Sequence, residues 1–402
     1  MRIGWKSVPL ADAPIQIVDG DRGKNYPKQT DFSDFGYCLF LNAGNVTKNG
    51  FEFHTCQFIT EQKDESLRKG KLTREDVVMT TRGTIGNVAY YGDQVPYDHI
   101  RINSGMVIFR CDMTKMSPPF LYQYLRSPQF RAQVQVMRSG VAQPQLPIRD
   151  MKRIEISVPL LDEQQRIASI LSAYNDLIEN NRHRIQLLEQ AARLLYKEWF
   201  VHLRFPGHEH VKIKDGVPEG WERKPLGEIA NITMGQSPKS KYYNEDGVGL
   251  PFHQGVTNFG LRFPSHKTYC TIESRIAEAG DILFSVRAPV GRINITLDKI
   301  VIGRGLSAIR SNCGQQNFLF YNLKDYFFKE NMMGGGAIFA AITKKDLHGV
   351  ELLQPTGALI EMFQEHVVLI DRQTETLHTM TEKLIIARDL LLPRLMNREI
   401  AI

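Results

Sequence analysis

The chain repeats itself once along its length, and this duplication constrains the fold more than any other feature of the sequence. Trp5 and Pro9 open the first copy, and Trp221 and Pro225 open the second at the same interval. Later residues that correspond are Asp76 and Asp281, Arg82 and Arg287, Gly86 and Gly291, Glu155 and Glu351, and Pro159 and Pro355. A repeat this long greatly exceeds a solenoid unit, so we predict a duplicated domain with bivalent or pseudo-twofold function.

The length and composition suit two ordinary globular domains. The chain has 402 residues, of which 42% are hydrophobic, enough for two buried cores. It contains no apolar run of membrane-spanning length, and its first residues lack the apolar core of a signal peptide, so we expect a cytoplasmic protein without membrane contact. The five cysteines are scattered without a CxxC pair, which favours reduced structural thiols.

Two long amphipathic helices are predicted, one after each copy of the repeat. Their seam positions advance by four and three residues in alternation, which is the spacing of a coiled coil. The residues predicted to lie in the helix seam or on a partner-binding face are Ile167, Leu171, Tyr174, Ile178, Ile185, Leu188, Leu195, Trp199, Phe363, Val367, Ile370, Leu377, Leu384, Leu391 and Leu395. The second seam is poorer in apolar residues, because it also contains Thr374, Thr381 and Arg388.

Each helix must bury one apolar stripe, and the other helix is the simplest partner. The alternative is that each helix packs only on its own domain. A helix of about forty residues would be roughly 60 Å long, much longer than globular domains need, which favours a spacer. Short connections would then make the pair antiparallel, with the two globular heads related by an approximate twofold axis.

The predicted fold class is therefore α+β, with two tandem mixed α/β heads separated by two long helices that form an antiparallel, pseudo-twofold coiled coil. The predicted limits are a first head over 1–160, a helix over 161–205, a linker over 206–220, a second head over 221–355 and a helix over 356–398. Short strands are predicted over 77–81, 87–91, 105–110, 281–286, 292–296 and 306–310, and helical stretches over 118–137 and 315–332.

The charge distribution favours an anionic partner for the heads. The net charge is +6, and the positive excess lies in the two heads, whereas the two helical segments are slightly acidic. This pattern fits heads that bind a polyanion on a frame that binds protein. Many cytosolic domains have a small positive excess without binding nucleic acid, so the charge alone does not decide the function.

No motif for catalysis, cofactor binding or metal binding is present. The chain lacks the N/D-P-P-F/Y tetrapeptide of amino-methyltransferases and the glycine-rich fingerprints of phosphate and dinucleotide sites. His208 and His210 flank a glutamate, but they lie in a linker rich in proline and glycine, which is more typical of a solvated loop than of a metal site. We therefore expect no catalytic residues, no cofactor and no metal.

Four stretches of the chain resemble the DNA specificity subunits of type I restriction-modification enzymes. They are Leu194–His208 with Pro218–Trp221, Ile154–Gln165, Arg388–Met396, and Gly235–Asn244 with Pro251–Gly255. The resemblance covers essentially the whole chain in the expected order. It implies that each head is a target recognition domain that reads one half of a split, asymmetric site in double-stranded DNA, and that the helices set the unread spacer.

The resemblance also implies partners. In this family the helices bind two modification subunits, which carry S-adenosylmethionine and methylate adenine, and restriction subunits complete an ATP-dependent nuclease. The chain itself would perform no catalysis, in agreement with the missing motifs.

A DNA reader needs basic side chains for phosphates and Asn, Gln, Arg or Ser side chains for base edges. The DNA-binding residues predicted on this ground are Lys24, Asn25, Tyr26, Lys28, Arg82, Thr84, Gln143, Gln236, Lys239, Lys241, Tyr242, His253, Gln254, Arg287 and Arg304. Arg82 and Arg287 correspond in the repeat while the heads otherwise differ, so we predict that they bind phosphate. A buried salt bridge is the alternative role for this pair.

Two other classes of protein remain open from the residues alone. A duplicated protein scaffold would explain the helices and the repeat, and DNA binding that weakens with salt would distinguish the two. A self-sufficient enzyme of unusual motif would bind S-adenosylmethionine or metal without a partner.

Overall fold

The computed structural model describes residues 5–140, 144–327, 341–397 and 399–400. The chain divides into two compact units, one made of Met1–Arg182 with Thr379–Ile402 and the other of His183–His378. Each unit contains one head together with one segment of each long helix. The domain limits predicted from the sequence, which separate each head from its helix, remain predictions.

The two long helices are the largest elements of the chain. The first spans Leu161–Tyr196 and continues into a π-helical turn over Lys197–Val201. The second spans Gly357–Met396. None of the helices in the described part of the chain combines the length and the apolar character that a membrane span requires.

The first unit contains short strands and helices in an α+β arrangement. Its strands are Lys6–Pro9, Ile15–Asp19, Cys38–Leu41, Val46–Thr47, Gly50–Phe51, Phe58–Ile59, Val77–Thr80, Val88–Tyr90, Ile100–Ile102, Met106–Cys111 and Glu155–Val158. Its short helices are Gln29–Asp31, Ala43–Asn45, Glu61–Ser66, Pro118–Leu125, Pro128–Met137 and Ile148–Met151.

The second unit has the same kind of composition. Its strands are Ile213–Lys214, Val217–Pro218, Glu222–Pro225, Ala230–Met234, Tyr243–Asn244, Leu250–His253, Tyr269–Cys270, Ile276–Ala277, Ile282–Ser285, Ile293–Ile295, Ile300–Ile302, Leu306–Ser311 and Glu351–Gln354. Its short helices are His208–His210, Leu226–Ile229, Ser240–Tyr242, Val256–Asn258, Gln316–Phe327 and Lys344–His348.

Both heads are built around a four-stranded antiparallel sheet with the same strand order. In the first unit the order is Ile15–Asp19, Met106–Cys111, Val77–Thr80 and Val88–Tyr90. In the second unit it is Ala230–Met234, Leu306–Ser311, Ile282–Ser285 and Ile293–Ile295. The strands predicted from the sequence coincide with members of these two sheets within one or two residues, so those predictions are confirmed.

The repeated sequence blocks at the two ends of each head pair with each other. Pro9 lies opposite Glu155 in a two-stranded antiparallel ribbon, and Pro225 lies opposite Glu351 in its counterpart. The repeat therefore marks the strands that close each head just before its long helix begins. This is the structural reason why the first and last blocks of each copy recur together.

The two segments of long helix within each unit run antiparallel. In the first unit Ile167 and Leu171, near the start of the first helix, share a core with Leu392 and Leu395, near the end of the second. Since an early segment packs on a late one, the helix directions are opposed.

The second unit shows the reverse combination, with the end of the first helix beside the start of the second. Tyr196 and Trp199 contact Phe363 edge-on, with ring centroids 5.9 Å apart in both pairs. Edge-to-face contact between aromatic rings adds to the stabilisation that burial provides. All the predicted seam residues are buried or half-buried.

One helix prediction was wrong in detail. The stretch 118–137 forms two helices rather than one, because Pro128 follows Ser127 and cannot continue the preceding helix. The Ser127 side chain instead accepts a hydrogen bond from the backbone N–H of Phe130 and caps the second helix. Of the other predicted stretch, Gln316–Phe327 is helical, Gln315 precedes the helix, and 328–332 lie outside the described residues.

Candidate nucleic-acid interface

In the first unit the loop that follows strand Ile15–Asp19 lies against the turn at residues 103–105. Gly20 is required at this contact, because a Cβ there would collide with the backbone oxygen of Asn103. The Tyr26 hydroxyl accepts a hydrogen bond from the backbone N–H of Ser104 at 3.4 Å, and Arg22 donates to the Ser104 carbonyl oxygen at 3.3 Å. Two segments far apart in sequence thus form one continuous surface.

Asp21 holds the same loop in shape. Its carboxylate accepts hydrogen bonds from the backbone N–H groups of Gly23 at 2.6 Å and Arg68 at 2.7 Å. Burial raises the pKa of Asp21, but these hydrogen bonds outweigh it, so the net pKa lies below its ordinary value. The ordered loop leaves Lys24 and Asn25 exposed, with the Asn25 amide donating to the Ser66 carbonyl oxygen at 3.1 Å.

Arg82 lies at the other side of the 103–105 turn. The preceding residue, Thr81, donates its backbone N–H to the Gly105 carbonyl oxygen at 2.7 Å and accepts from Leu146 N–H at 2.9 Å. The Arg82 side chain is exposed, and among the described residues no carboxylate lies within ion-pair distance of it. A guanidinium on a fixed turn, without an acidic partner in the described part of the chain, is suited to a phosphate.

The structure therefore brings Tyr26 and Arg82 to opposite flanks of one turn. Lys24 and Lys28 are exposed on the neighbouring loop, and Thr84 is exposed in the turn that follows Arg82. The remaining candidate of this head, Gln143, lies outside the described residues.

The second unit repeats this construction with different side chains. A Cβ at Gly235 would collide with the backbone oxygen of Gly303, just as at Gly20. Val286 N–H donates to the Gly305 carbonyl oxygen at 2.9 Å, and Val286 accepts from Ile342 N–H at 2.9 Å. Arg287 is consequently exposed on a turn fixed in the same way as that of Arg82.

A depression of about 760 Å³ lies beside this surface in the second unit. At its rim the Ser237 hydroxyl donates to the Gln254 side-chain oxygen at 2.7 Å and accepts from the backbone N–H of Arg304 at 3.1 Å. Both Gln254 and Arg304 are exposed. The Gln254 oxygen retains a second lone pair beside its NH₂ group, so the amide can still both accept from and donate to a base edge.

The other candidates of the second head differ in accessibility. Gln236, Lys239 and Lys241 have exposed side chains, and the Lys241 ammonium lies 4.9 Å from the centroid of the Tyr242 ring. Tyr242 itself is half-buried against a small core that includes Phe252. The three exposed residues therefore remain suited to contact DNA directly, while Tyr242 supports the loop from below.

Among the candidates that the structure describes, His253 alone has an almost fully buried side chain, at 2% exposure. Its Nε2 lies 2.8 Å from His266 Nδ1, and His266 Nε2 lies 3.0 Å from Asp298 Oδ2. Burial, aided by the charge of His266, lowers the pKa of His253 to about 4. A neutral, buried imidazole supports the floor of the depression more readily than it binds a phosphate.

Sequence reasoning did not select Arg22, Ser104, Ser237 or His266. Ser104 precedes Gly105, which corresponds to Gly305 in the repeat, and Ser237 follows a selected glutamine, so both positions offered a sequence signal. The contacts of Arg22 and His266 join segments more than ten residues apart, and no local sequence pattern predicts such contacts.

Comparison with known proteins identifies the family. The sequence model described as type I restriction modification DNA specificity domain matches residues 3–190 and 218–355. These two matches cover most of the chain and correspond to its two copies of the repeat. The chain belongs to this family, which confirms the resemblance recognised in the sequence.

Individual relatives agree with this assignment. The chain is 33% identical to the type I restriction enzyme MjaX specificity subunit of Methanocaldococcus jannaschii over 77% of this chain and 73% of that protein. It is 22% identical to the HindI specificity subunit of Haemophilus influenzae over 95% of this chain and 98% of that protein. In fold it resembles the crystal structure of a type I S subunit from M. genitalium, with a TM-score of 0.59, 16% identity and coverage of 98% and 96%.

Proposed function

We propose that this chain is the DNA-reading subunit of a type I restriction-modification complex, in which each head reads one half of a bipartite site. The observation that carries the proposal is the duplicated turn that exposes Arg82 in one unit and Arg287 in the other. Family membership supports sequence recognition, and the duplication supplies two heads for two half-sites. The heads differ around the shared turn, so their half-sites should differ in sequence.

The two kinds of contact fall on different residues. Arg82 and Arg287 are alike in both heads and are assigned to phosphate, which positions the protein without reading sequence. Gln254 and Arg304 are assigned to base edges in the second half-site, because glutamine pairs with adenine and arginine with guanine in the major groove. In the first head Asn25, with Lys24 beside it, is the matching candidate.

The long helices are assigned to two modification subunits. Leu187, Leu194 and Val201 are exposed at intervals of seven residues on the first helix, and Met362 and Leu369 are exposed at the same interval on the second. A repeated stripe of exposed large apolar side chains is typical of a surface that another helix covers. Restriction subunits would join the complex that these contacts assemble.

Catalysis is assigned to those partners rather than to this chain. Sequence recognition is the function that the family and the two heads support. A cytoplasmic location, where such a subunit would meet its DNA, is part of the proposal.

The test is single-molecule methylome sequencing of cells that express this chain with a cognate modification subunit, with the chain alone and with the modification subunit alone. We expect a new split motif, with one methylated adenine in each half, only when both proteins are present. A stable complex that produces no new methylation would contradict the proposal and favour a protein scaffold.

A further inference from the structure

A cleft of about 750 Å³ lies within the first unit, between the head and its helix segments. Its lining is rich in arginine and in aromatic rings. The basic residues are Lys48, Arg126, Arg131, Arg182 and Arg388, and the aromatic ones are Phe51, Phe53, Tyr90 and Tyr122. These residues are distinct from those assigned to DNA.

The second unit has an equivalent site between its head and its helix segments, but there a side chain fills the space. Arg126 lies over the ring of Tyr122, four residues earlier, at 4.8 Å, and Lys324 lies over the ring of Phe320, also four residues earlier, at 5.3 Å. Two residues before each cation, a polar side chain bonds to the backbone of the last strand of its head. The Tyr124 hydroxyl accepts from Ser157 N–H at 3.2 Å, and the Asn322 amide donates to the Leu353 carbonyl oxygen at 3.2 Å.

In the second unit a loop arginine fills this space between two acids. Arg262 donates to Glu189 at 2.6 Å and lies 2.8 Å from Asp371, and Lys324 donates to Glu189 at 2.8 Å. The guanidinium also lies 4.4 Å from the Phe320 ring centroid. Each cation at this site therefore has a carboxylate partner, and Arg262 is only 3% exposed.

At the equivalent helix positions the first unit has no acidic residue and has one additional basic residue. By the register of the two long helices, Asn175 stands where the second unit has Asp371, and Ile385 stands where it has Glu189. Arg388 stands where it has Ala192. The change removes two negative charges and adds one positive charge at the same site.

Arg126 is left without a carboxylate among the described residues. Its guanidinium donates to the Tyr122 hydroxyl at 2.9 Å and to the Lys48 carbonyl oxygen at 3.3 Å. Burial lowers the pKa of Arg126, and the positive charges of Arg388 and Arg131 lower it further. A half-buried guanidinium with no carboxylate partner among the described residues favours an anion that can approach it.

We propose that this cleft binds a phosphate-bearing ligand of nucleotide size, with its phosphate on Arg126 and Arg388. Arginine forms paired, charge-assisted hydrogen bonds with phosphate oxygens. Three exposed carboxylates, those of Asp176, Glu179 and Asp389, also line the cleft, and water screens them. Glu179 bonds to Arg182, and Asp389 bonds to Arg388, so a phosphate on Arg388 would share this guanidinium with Asp389.

The shape of the cleft supports a planar ring beside the phosphate. A volume of about 750 Å³ far exceeds that of a single phosphate and lies within the range of small-molecule pockets. Phe51, Tyr90 and Tyr122 supply aromatic faces at its wall. A ring that stacks on such faces, joined to phosphate, is the chemistry of a nucleotide.

The experiment titrates the full chain with ADP, pyrophosphate and adenosine by calorimetry at constant ionic strength. We expect saturable 1:1 binding of ADP, weaker binding of pyrophosphate and no binding of adenosine. Arg126→Gln should weaken ADP binding at least tenfold, and Arg166→Gln, on an exposed part of the first helix, should leave it unchanged.

A second variant keeps the test valid if Arg126→Gln does not fold. The double change Asn175→Asp with Ile385→Glu installs the acids of the second unit and should abolish ADP binding without lowering the melting temperature. Unaltered ADP binding in either variant, or no saturable binding by the natural chain, would overturn the proposal. Equal affinities for ADP and pyrophosphate would show that the cleft does not bind the ring of the nucleotide.

Discussion

The guanidinium of Arg262 lies 2.6 Å from the carboxylate of Glu189 in the second unit, where both side chains are nearly excluded from solvent. Arg262 belongs to the head and Glu189 to the first long helix, and Asp371 of the second long helix lies 2.8 Å from the same guanidinium. One head residue therefore binds both helix segments of its unit. Burial raises the pKa of Glu189, but the charges of Arg262 and Lys324 bring it below its ordinary value, so the carboxylate stays ionised.

Replacing Arg262 should strongly destabilise the second unit. Arg262→Met leaves Glu189 and Asp371 buried without their shared counter-charge, and breaking a buried pair in this way typically costs about 3–5 kcal/mol. Urea unfolding followed by circular dichroism would measure the loss. Arg223→Met, at an exposed position of the same unit, is the control and should cost under about 0.5 kcal/mol. Equal effects of the two changes would show that the buried network does not stabilise the unit.

The second unit should lose stability in mild acid because of His253. Its folded pKa of about 4 lies below the unfolded value of about 6.5, so the unfolded chain binds the proton more readily. Neutral His253 makes its full contribution to the free energy of unfolding above about pH 6.5. This contribution is lost as the pH falls toward the folded pKa, by up to about 1.4 kcal/mol per pH unit. His266 faces His253 directly, and the Asp298 carboxylate lies on the far side of His266, 3.0 Å from its Nε2.

Unfolding free energies measured between pH 7 and 4.5 test this prediction. His253→Asn should flatten the pH dependence, whereas His54→Asn, at a site where the natural side chain is 89% exposed, should not. If the free energy of unfolding of His253→Asn falls with pH as steeply as that of the natural chain, other groups cause the acid sensitivity.

Arg82 and Arg287 should contribute to DNA affinity without contributing to sequence choice. Each bound phosphate releases counterions, so the double change Arg82→Ala with Arg287→Ala should reduce the slope of log affinity against log salt by about 2. Fluorescence anisotropy of the complex with modification subunits would measure this over a range of salt concentrations. Arg149→Ala removes a cation that is 87% exposed elsewhere in the first unit and is the control. A changed motif in the double variant would instead make these residues base readers.

Gln254 should affect one half-site only. Gln254→Ala removes the amide that Ser237 orients, and the loss of a bidentate base contact is worth about 1–3 kcal/mol of discrimination. Methylome sequencing should show relaxed choice in the half-site of the second head and an unchanged first half. Gln165→Ala, on the exposed face of the first helix, should change neither half. Relaxation of both halves would show that the heads do not read independently.

The helices should set the distance between the half-sites. Seven residues inserted between Arg182 and His183, and seven more between His378 and Thr379, fall at the limits of the two units and keep the contacts within each unit intact. The added length of about 10 Å equals roughly three base-pair rises. Methylome sequencing should show both half-sites unchanged and the spacer longer by about three base pairs. An unaltered spacer would remove the helices from this role.

The first-unit sheet shows which parts of the fold were accessible from the sequence. Strands such as Val77–Thr80 and Met106–Cys111 are short apolar runs between turn residues, a local signal that predicts them well. The break at Pro128 was equally local and was still missed, because mixed aromatic and basic residues on both sides suggested one helix. The ribbon of Lys6–Pro9 with Glu155–Val158 joins the two ends of a head, and only tertiary structure decides such a pairing.

The candidate site divides in the same way. Arg82 and Arg287 could be selected because the repeat places them at matching positions, whereas the burial of His253 depends on His266 and the surrounding sheet. Residue type shows what a side chain can bind, but exposure decides whether it can reach a partner.

The sequence by itself determined the duplication, the two long helices and the family, because periodicity and motif order are properties of the chain. Tertiary structure alone decided that one unit fills its cleft with Arg262, while the other leaves Arg126 without an acidic partner among the residues that the structure describes. That difference arises where head and helices meet within each unit, from residues such as Asn175 and Arg388 that are more than two hundred positions apart. Charge compensation is a property of neighbours in space, so no reading along the chain reveals it.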